Sequence, residues 1–308
     1  MTESNNLKTP KITDYPFVVH LHSSDEVRAK RDQAIEWLRE VGGSVHSDRY
    51  HGYLRSIDKY ELSEVSVDIE REFYSFLNAH SELTELIRVY DSLQLIDSSE
   101  YVSALKKICS GQAFRNKVTN EASRDFLFEL SVGARLIRAG YEVTLNGQAD
   151  SVAIVEGRRV YVEAKRIRSV SQIGKRVGEA NRQIGKRLAQ DSSSKSRGFV
   201  AVSLTDVLNP DNSFAAVESV EHLRSTNANS LHGLVGGRDD FMRGKMGKCL
   251  GVLAEFTMQG FKYQNEGYEG AALLNCRVAT FRRCDAHESN NELMAKMLPV
   301  LSNQSLYK

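Results

Sequence analysis

No apolar run in this chain approaches the roughly 20 residues that cross a bilayer, and the amino terminus, MTESNNLKTP, lacks the basic-then-apolar pattern of a signal peptide. A secreted or membrane protein is not expected. Cysteine is scarce, with Cys109, Cys249, Cys276 and Cys284 and no CxxC pair. That argues against a disulfide scaffold and a zinc ribbon, and for a reduced, cytoplasmic compartment. Cys284-Asp-Ala-His287, with Cys276 just upstream, has a metal-like spacing, but three ligands without a recognisable fourth make a poor zinc site. Nucleotide-binding and common hydrolase signatures are missing too. There is no GxxxxGK(S/T), HExxH or GxSxG, and Gly174, Gly178 and Gly185 do not form GxGxxG.

What is present is a chain of 308 residues, 41% hydrophobic and 26% charged, enough for one large or two ordinary domains with a buried core. Its net charge of +1 hides a strong asymmetry. Residues 158–197 hold twelve Lys and Arg against three Asp and Glu, a local +9, whereas the flanking segments are neutral to acidic. Basic side chains gathered on one surface gain counterion-release free energy from nucleic acid, so a polyanionic partner is expected.

Up to about residue 115 the pattern is helical, with helices expected over Asp25–Gly42, Glu61 to about Ile96, and Ser99–Ile108. This amino-terminal domain, residues 1–115, carries no motif with a chemical mechanism. Packing, regulation, and contact with a protein partner or a second copy through its helices all stay open for it. His20 and His22 read as strand or loop residues rather than ligands.

From residue 116 to 308 an α/β domain is expected. Asn120 can cap a helix bearing Phe126, Leu130, Ala134 and Ile137 that stops at Gly140. Strands are expected at Tyr141–Leu145, Ser151–Val155 and Arg159–Lys165, the last two joined by a hairpin-like Glu156-Gly157-Arg158. A basic helix over about Ser171–Gln190, a polar linker and an apolar strand at Phe199–Leu204 follow. Further on, Phe214–Leu231 reads as helix, Cys249–Met258 and Ala271–Phe281 as strands, and Ser289–Leu301 as a final helix. Tyr161 and Phe199 fall in apolar strands and read as core.

Side chains alternate faces along a strand, so Glu163 and Lys165 share one face while Val162 and Ala164 take the other. In a hairpin of this length Asp150 can lie near both, which would bring two carboxylates and an ammonium to one sheet end. Carboxylate oxygens are hard ligands suited to Mg²⁺. A metal there could activate water against a phosphodiester while Lys165 orients the nucleophile and offsets developing charge. The plain alternative is a solvated cross-strand ion pair.

Asp150 followed by Glu163-Ala164-Lys165 at the end of an apolar strand resembles the PD-(D/E)xK signature of the restriction-endonuclease-like nucleases. The order helix, three strands, helix, strand resembles that superfamily's core as well. The likeness spans about residues 120–205, and Ala149 stands where the motif names proline. It implies Asp150 and Glu163 as metal ligands, Lys165 as the catalytic lysine, and Glu129 as an outer or additional ligand. The implied cofactor is Mg²⁺, with Mn²⁺ able to substitute. Endo- or exonucleolytic cleavage is implied, with DNA as substrate rather than RNA, though the residues themselves do not separate the two. By analogy such an enzyme serves restriction or defence against phage. Glu163-Ala164-Lys165 is the one (Asp/Glu)-x-Lys match in the chain.

The basic helix holds a second signal. Gln172-Ile-Gly-Lys-Arg176 recurs as Gln183-Ile-Gly-Lys-Arg187, an offset of nearly three turns that stacks both copies on one face. Ile173, Val177, Ala180, Ile184 and Leu188 form its apolar stripe. Lys175, Arg176, Arg182, Gln183, Lys186 and Arg187 are then candidates for phosphate contact, with Arg166 and Arg168 at the entrance. In relatives by resemblance a glutamine on this helix approaches the site, a role open to Gln172 or Gln183. The competing readings are a non-catalytic nucleic-acid-binding or assembly protein with a nuclease-like fold, and an interaction subunit whose cleavage waits on a partner.

Overall fold

A computed structural model describes residues 17–42, 49–62, 68–96, 99–113, 121–145, 149–242, 247–264, 267–283, 288–302 and 304–307. The chain divides into two compact units, Val19–Ala153 with Gln304–Lys308, and Met1–Val18 with Ile154–Asn303.

The first unit is mainly helical: α1 (Ser24–Glu40), α2 (Arg49–Leu62), α3 (Ile69–Leu93), α4 (Ser99–Ile108) and α5 (Ala122–Arg138), then the short β1 (Glu142–Thr144). Helix α1 starts at a capping box in which Glu26 N–H donates to Ser23 Oγ at 3.2 Å and Ser23 N–H to Glu26 Oε2 at 2.9 Å. It ends as expected near Gly42, whose φ of +82° is the left-handed conformation that glycine adopts without strain. The single helical region expected over Glu61–Ile96 is in fact two elements. Helix α2 closes at Leu62, and α3 opens at Asp68, whose carboxylate accepts from Arg71 N–H at 3.2 Å. Most of α2 lies where no helix was expected, because its buried stripe is mainly aromatic and charged, Arg49, Tyr50 and Tyr53, with the aliphatic Ile57 buried beside them.

Leu127, Leu130 and Ala134 of α5 share one core with Leu83, Leu86 and Ile87 of α3 and with Leu105 and Ile108 of α4. Thus α5, which the sequence pattern groups with the strands after it, is packed among the helices before it. Its expected cap, Asn120, lies outside the described residues. Gly133 brings α5 close to the next strands, since a Cβ there would meet Leu145 Cδ2 at 3.1 Å and Ser151 Oγ at 3.2 Å.

Inside this unit lies a fully buried charge network. Arg124 donates from Nε to Glu82 Oε1 at 2.6 Å, from Nη1 to Glu121 Oε1 at 2.5 Å, and from Nη2 to Tyr53 Oη at 3.0 Å and the Ala113 carbonyl at 2.7 Å. Arg49 adds an ion pair to Glu82 at 3.5 Å and lies over the Tyr50 ring. Two guanidinium groups against two carboxylates balance a charge that burial would otherwise expel. Residues 304–307 complete the unit. Gln304 Nε2 donates to the Arg135 carbonyl, Arg138 Nη1 to the Leu306 carbonyl, and Tyr307 packs on His22 with ring centroids 4.2 Å apart.

The chain enters the second unit along β2 (Ser151–Val155) and turns at Glu156-Gly157 into β3 (Arg158–Arg166). Both turn residues have positive φ, +50° and +68°, which defines the primed two-residue turn that matches strand twist. Then follow α6 (Ile173–Gln190), β4 (Arg197–Ser203), α7 (Thr205–Leu208), β5 (Ala215–Val217), α8 (Val220–Gly236), β6 (Cys249–Gln264), β7 (Gly267–Arg283) and α9 (Glu288–Leu301). The fold class is mixed α/β, and α5 to β4 run in the order helix, three strands, helix, strand. The expected helix at Phe214–Leu231 begins instead as strand β5. Ser219 caps α8 by accepting from His222 N–H at 3.1 Å, which fixes the helix start after the strand.

Strands β3, β4 and β6 lie side by side and parallel, Glu163 opposite Val200 and Val200 opposite Val252. Strand β7 runs antiparallel along one edge of β6. The other edge of β6 is shared end to end by β4 and the parallel β5, where Ala215 faces Gly260.

Candidate active site

Residues paired across neighbouring strands share a face. Tyr161 is paired with Gly198, Glu163 with Val200 and Lys165 with Val202. A Cβ on Gly198 would overlap Ile184 Cγ2 of α6, so α6 covers the face that carries Tyr161, Glu163 and Lys165. Because β3 and β4 are parallel, the α6 crossover runs antiparallel to them. The start of α6 therefore lies at the end of β3 that bears Glu163 and Lys165, and its far end lies at the start of β3, where Tyr161 Oη donates to Asp191 Oδ2 at 2.8 Å.

Glu163 is only 2% exposed. Lys165 Nζ is 3.6 Å from Glu163 Oε2, and its side chain keeps 18% of its surface in contact with solvent. A carboxylate this deep is tolerated because a cation accompanies it. Glu163, Lys165 and Arg166 lie at the carboxyl end of parallel β3, the edge at which open α/β sheets bind ligands. On the opposite face, Arg166 Nε pairs with Asp206 Oδ2 at 2.7 Å, and Arg277 grips Glu255 in a two-oxygen contact at 2.7 and 2.8 Å. Arg166 is thus held inward against α7, with its side chain largely buried, while Arg168 is half-buried.

Helix α6 carries the repeat as the periodicity requires. Ile173, Val177, Ala180, Ile184 and Leu188 are buried, and Lys175, Arg176, Arg182, Gln183 and Lys186 are exposed. Arg187 and Gln172 are half-buried. Arg176 Nη1 is 3.3 Å from Glu179 Oε2, an exposed pair within the helix.

Asp150, just before β2, and Glu129, on α5, are half-buried residues of the first unit. Among the described residues no group of three or more His, Cys, Asp or Glu side chains is gathered to hold a metal ion. Within the expected constellation, Glu163 and Lys165 form an ion pair. The Cys276 thiol is pushed up by burial, and Cys284 and His287 lie outside the described residues. His22 serves structure, 3.1 Å from Ser305 Oγ through Nε2.

Two polar centres escaped the sequence reading. The Arg124–Glu82 network joins residues far apart in the chain and leaves no local mark. The Asp191 cluster does leave one, since Asp-Ser-Ser is a sequence in which a carboxylate accepts from the backbone two residues on. Asp191 Oδ1 accepts from Ser193 N–H at 2.8 Å and Oδ2 from Ser196 Oγ at 2.7 Å. Those two bonds, the hydroxyl first, hold its carboxyl down to about 2.

No family model, curated protein or solved structure matches the chain.

Proposed function

We propose that the chain is a metal-dependent nuclease that hydrolyses phosphodiester bonds, with a restriction-endonuclease-like core of the PD-(D/E)xK type. The observation that carries the reading is the buried Glu163 with Lys165 3.6 Å away and partly open to solvent, at the carboxyl end of a parallel strand and next to the start of a basic helix. An ion pair made only for stability gains little from such a position, since burying the Glu163 charge offsets much of what the attraction returns. A catalytic lysine needs that closeness to a metal-bound carboxylate.

Glu163 and Asp150 are the proposed ligands, with Glu129 as an outer one. This donor set fits Mg²⁺, which takes one or two carboxylates and fills its remaining positions with water and substrate phosphate oxygens. Among the described residues no three His, Cys, Asp or Glu side chains are gathered, so the reading rests on Glu163 and Asp150 as the inner pair, with Glu129 outside it. The link between β2 and β3 is the two-residue turn Glu156-Gly157. When bound, the metal would polarise the phosphoryl oxygen and lower the pKa of a water. Lys165, partly open to solvent beside the carboxylate, would hold the attacking water and offset charge growing on the phosphoryl oxygens. DNA is the proposed substrate, and restriction or phage defence the proposed setting by fold-level analogy.

The same sparse donor set favours one competing reading, a nucleic-acid-binding protein without catalysis. Incubation of the protein with plasmid, linear DNA, single strands and RNA, with Mg²⁺, Mn²⁺ or chelator, separates the two. Metal-dependent cleavage lost in both Lys165→Ala and Glu163→Ala supports the nuclease. Cleavage that persists in Lys165→Ala removes the proposed site, and binding without cleavage in any metal supports the competing reading.

A further inference from the structure

We infer that the outer face of α6 is a linear register for a polynucleotide strand, so that the substrate is a chain reaching about five nucleotides along one side of the reacting phosphate, not a small phosphodiester. The inference rests on the proposed nuclease site for where the reacting phosphate lies. Its evidence is the arrangement of α6 itself.

Lys175, Arg182 and Lys186 are all exposed. At about 100° and 1.5 Å per residue they fall within roughly 40° of one another around the helix, at heights of about 0, 10.5 and 16.5 Å. They form a straight row of cations parallel to the axis. The single acidic residue of the helix, Glu179, lies beside the row and is paired with Arg176 Nη1 at 3.3 Å, which offsets its charge. The row is held rigidly. Its opposite side is the fully buried stripe from Ile173 to Leu188, Ile184 seats against Gly198, and Asp191 fastens the helix end to Tyr161. Packing fixes the helix backbone, so an anion that binds the row orders only its exposed side chains and not the helix itself.

The row also has a direction. Lys175 stands at the end of α6 nearest Glu163 and Lys165, and Lys186 at the end nearest Tyr161. A stacked strand presents one phosphate per about 3.4 Å along its axis, so a span of about 16.5 Å corresponds to about five nucleotide steps. A strand whose phosphate sits at Lys165 would meet Lys175 first and Lys186 last. The duplicated Gln-Ile-Gly-Lys-Arg supplies this spacing, because each copy buries its isoleucine and offers its lysine at the same angle.

The test is binding of fluorescent oligonucleotides of 2, 4, 6, 8 and 12 nucleotides to the full chain in chelator, so that no cleavage is required. Wild type is compared with Lys175→Ala and Lys186→Ala, each checked by circular dichroism and melting. Lys175→Ala should weaken binding at every length. Lys186→Ala should leave the 2- and 4-mers unchanged and weaken the 8- and 12-mers about three- to tenfold, lowering their salt slope by about 0.7. Equal loss from Lys186→Ala at all lengths, or no polynucleotide binding at all, overturns the register. A length-dependent loss in a protein that cleaves nothing retires the nuclease reading and leaves the register standing. Cleavage without length dependence does the reverse.

Discussion

Ile184 of α6 occupies the space that Gly198 of β4 leaves by having no side chain, and a Cβ there would also come within 3.1 Å of the Tyr161 carbonyl. Helix and strand approach this closely at the centre of the face that carries Glu163 and Lys165. Gly198→Ala must push the helix outward, and overpacking of this kind costs about 1–3 kcal/mol. Urea denaturation should show that loss, together with weakened nucleic-acid binding. A variant as stable as wild type would mean that α6 is free to shift.

Lys165→Ala removes a cation 3.6 Å from Glu163 Oε2, and under the proposed mechanism cleavage should fall by at least about a hundredfold. Glu163→Gln keeps the shape and removes the charge, so it should abolish metal-stimulated cleavage and leave binding through α6 intact. Equal loss of binding in both variants would indicate damage to the fold instead.

Arg124 joins Glu82, Glu121 and Tyr53 in a place with almost no solvent. Arg124→Ala leaves two buried carboxylates short of their cation, and breaking one side of a buried pair costs about 3–5 kcal/mol. A large drop in the denaturation midpoint is expected, with activity per folded molecule unchanged. A loss under about 1 kcal/mol would contradict the closed network.

His80 is held down to about 4 by burial, helped by the charge of Arg31. The folded chain keeps this ring neutral, while the unfolded chain protonates it near 6.5. Its burial carries no proton penalty above about 6.5, a growing one as pH falls from there to about 4, and the full one below. Stability measured across that window should fall less steeply in His80→Gln than in wild type, and parallel slopes would show that the ring is solvated.

The elements legible from the residues were those whose pattern is local. Ile173 to Leu188 mark the buried stripe of α6, the alternation along Val160–Lys165 marks β3, and Glu156-Gly157 marks its turn. Helix α2 was missed because Tyr50 and Tyr53 bury aromatic rings beside the charged Arg49, a stripe that reads as polar. Strand β5 was missed because three residues have too few alternations to show a period. The pairing of Glu163 with Lys165 followed from strand geometry alone. The pairing of Arg166 with Asp206 left no mark in the sequence, because Asp206 comes from an element forty residues on.

The return of residues 304–307 to the helical unit carries a consequence for biosynthesis. Gln304 and Leu306 bond with the two ends of the last turn of α5, and Tyr307 covers His22 near the start of the same unit. A ribosome emits that unit's helices first but its closing residues only after the whole sheet. The early helices must wait, incompletely sealed, until the later unit has emerged, so maturation of the first unit is timed by synthesis of the second.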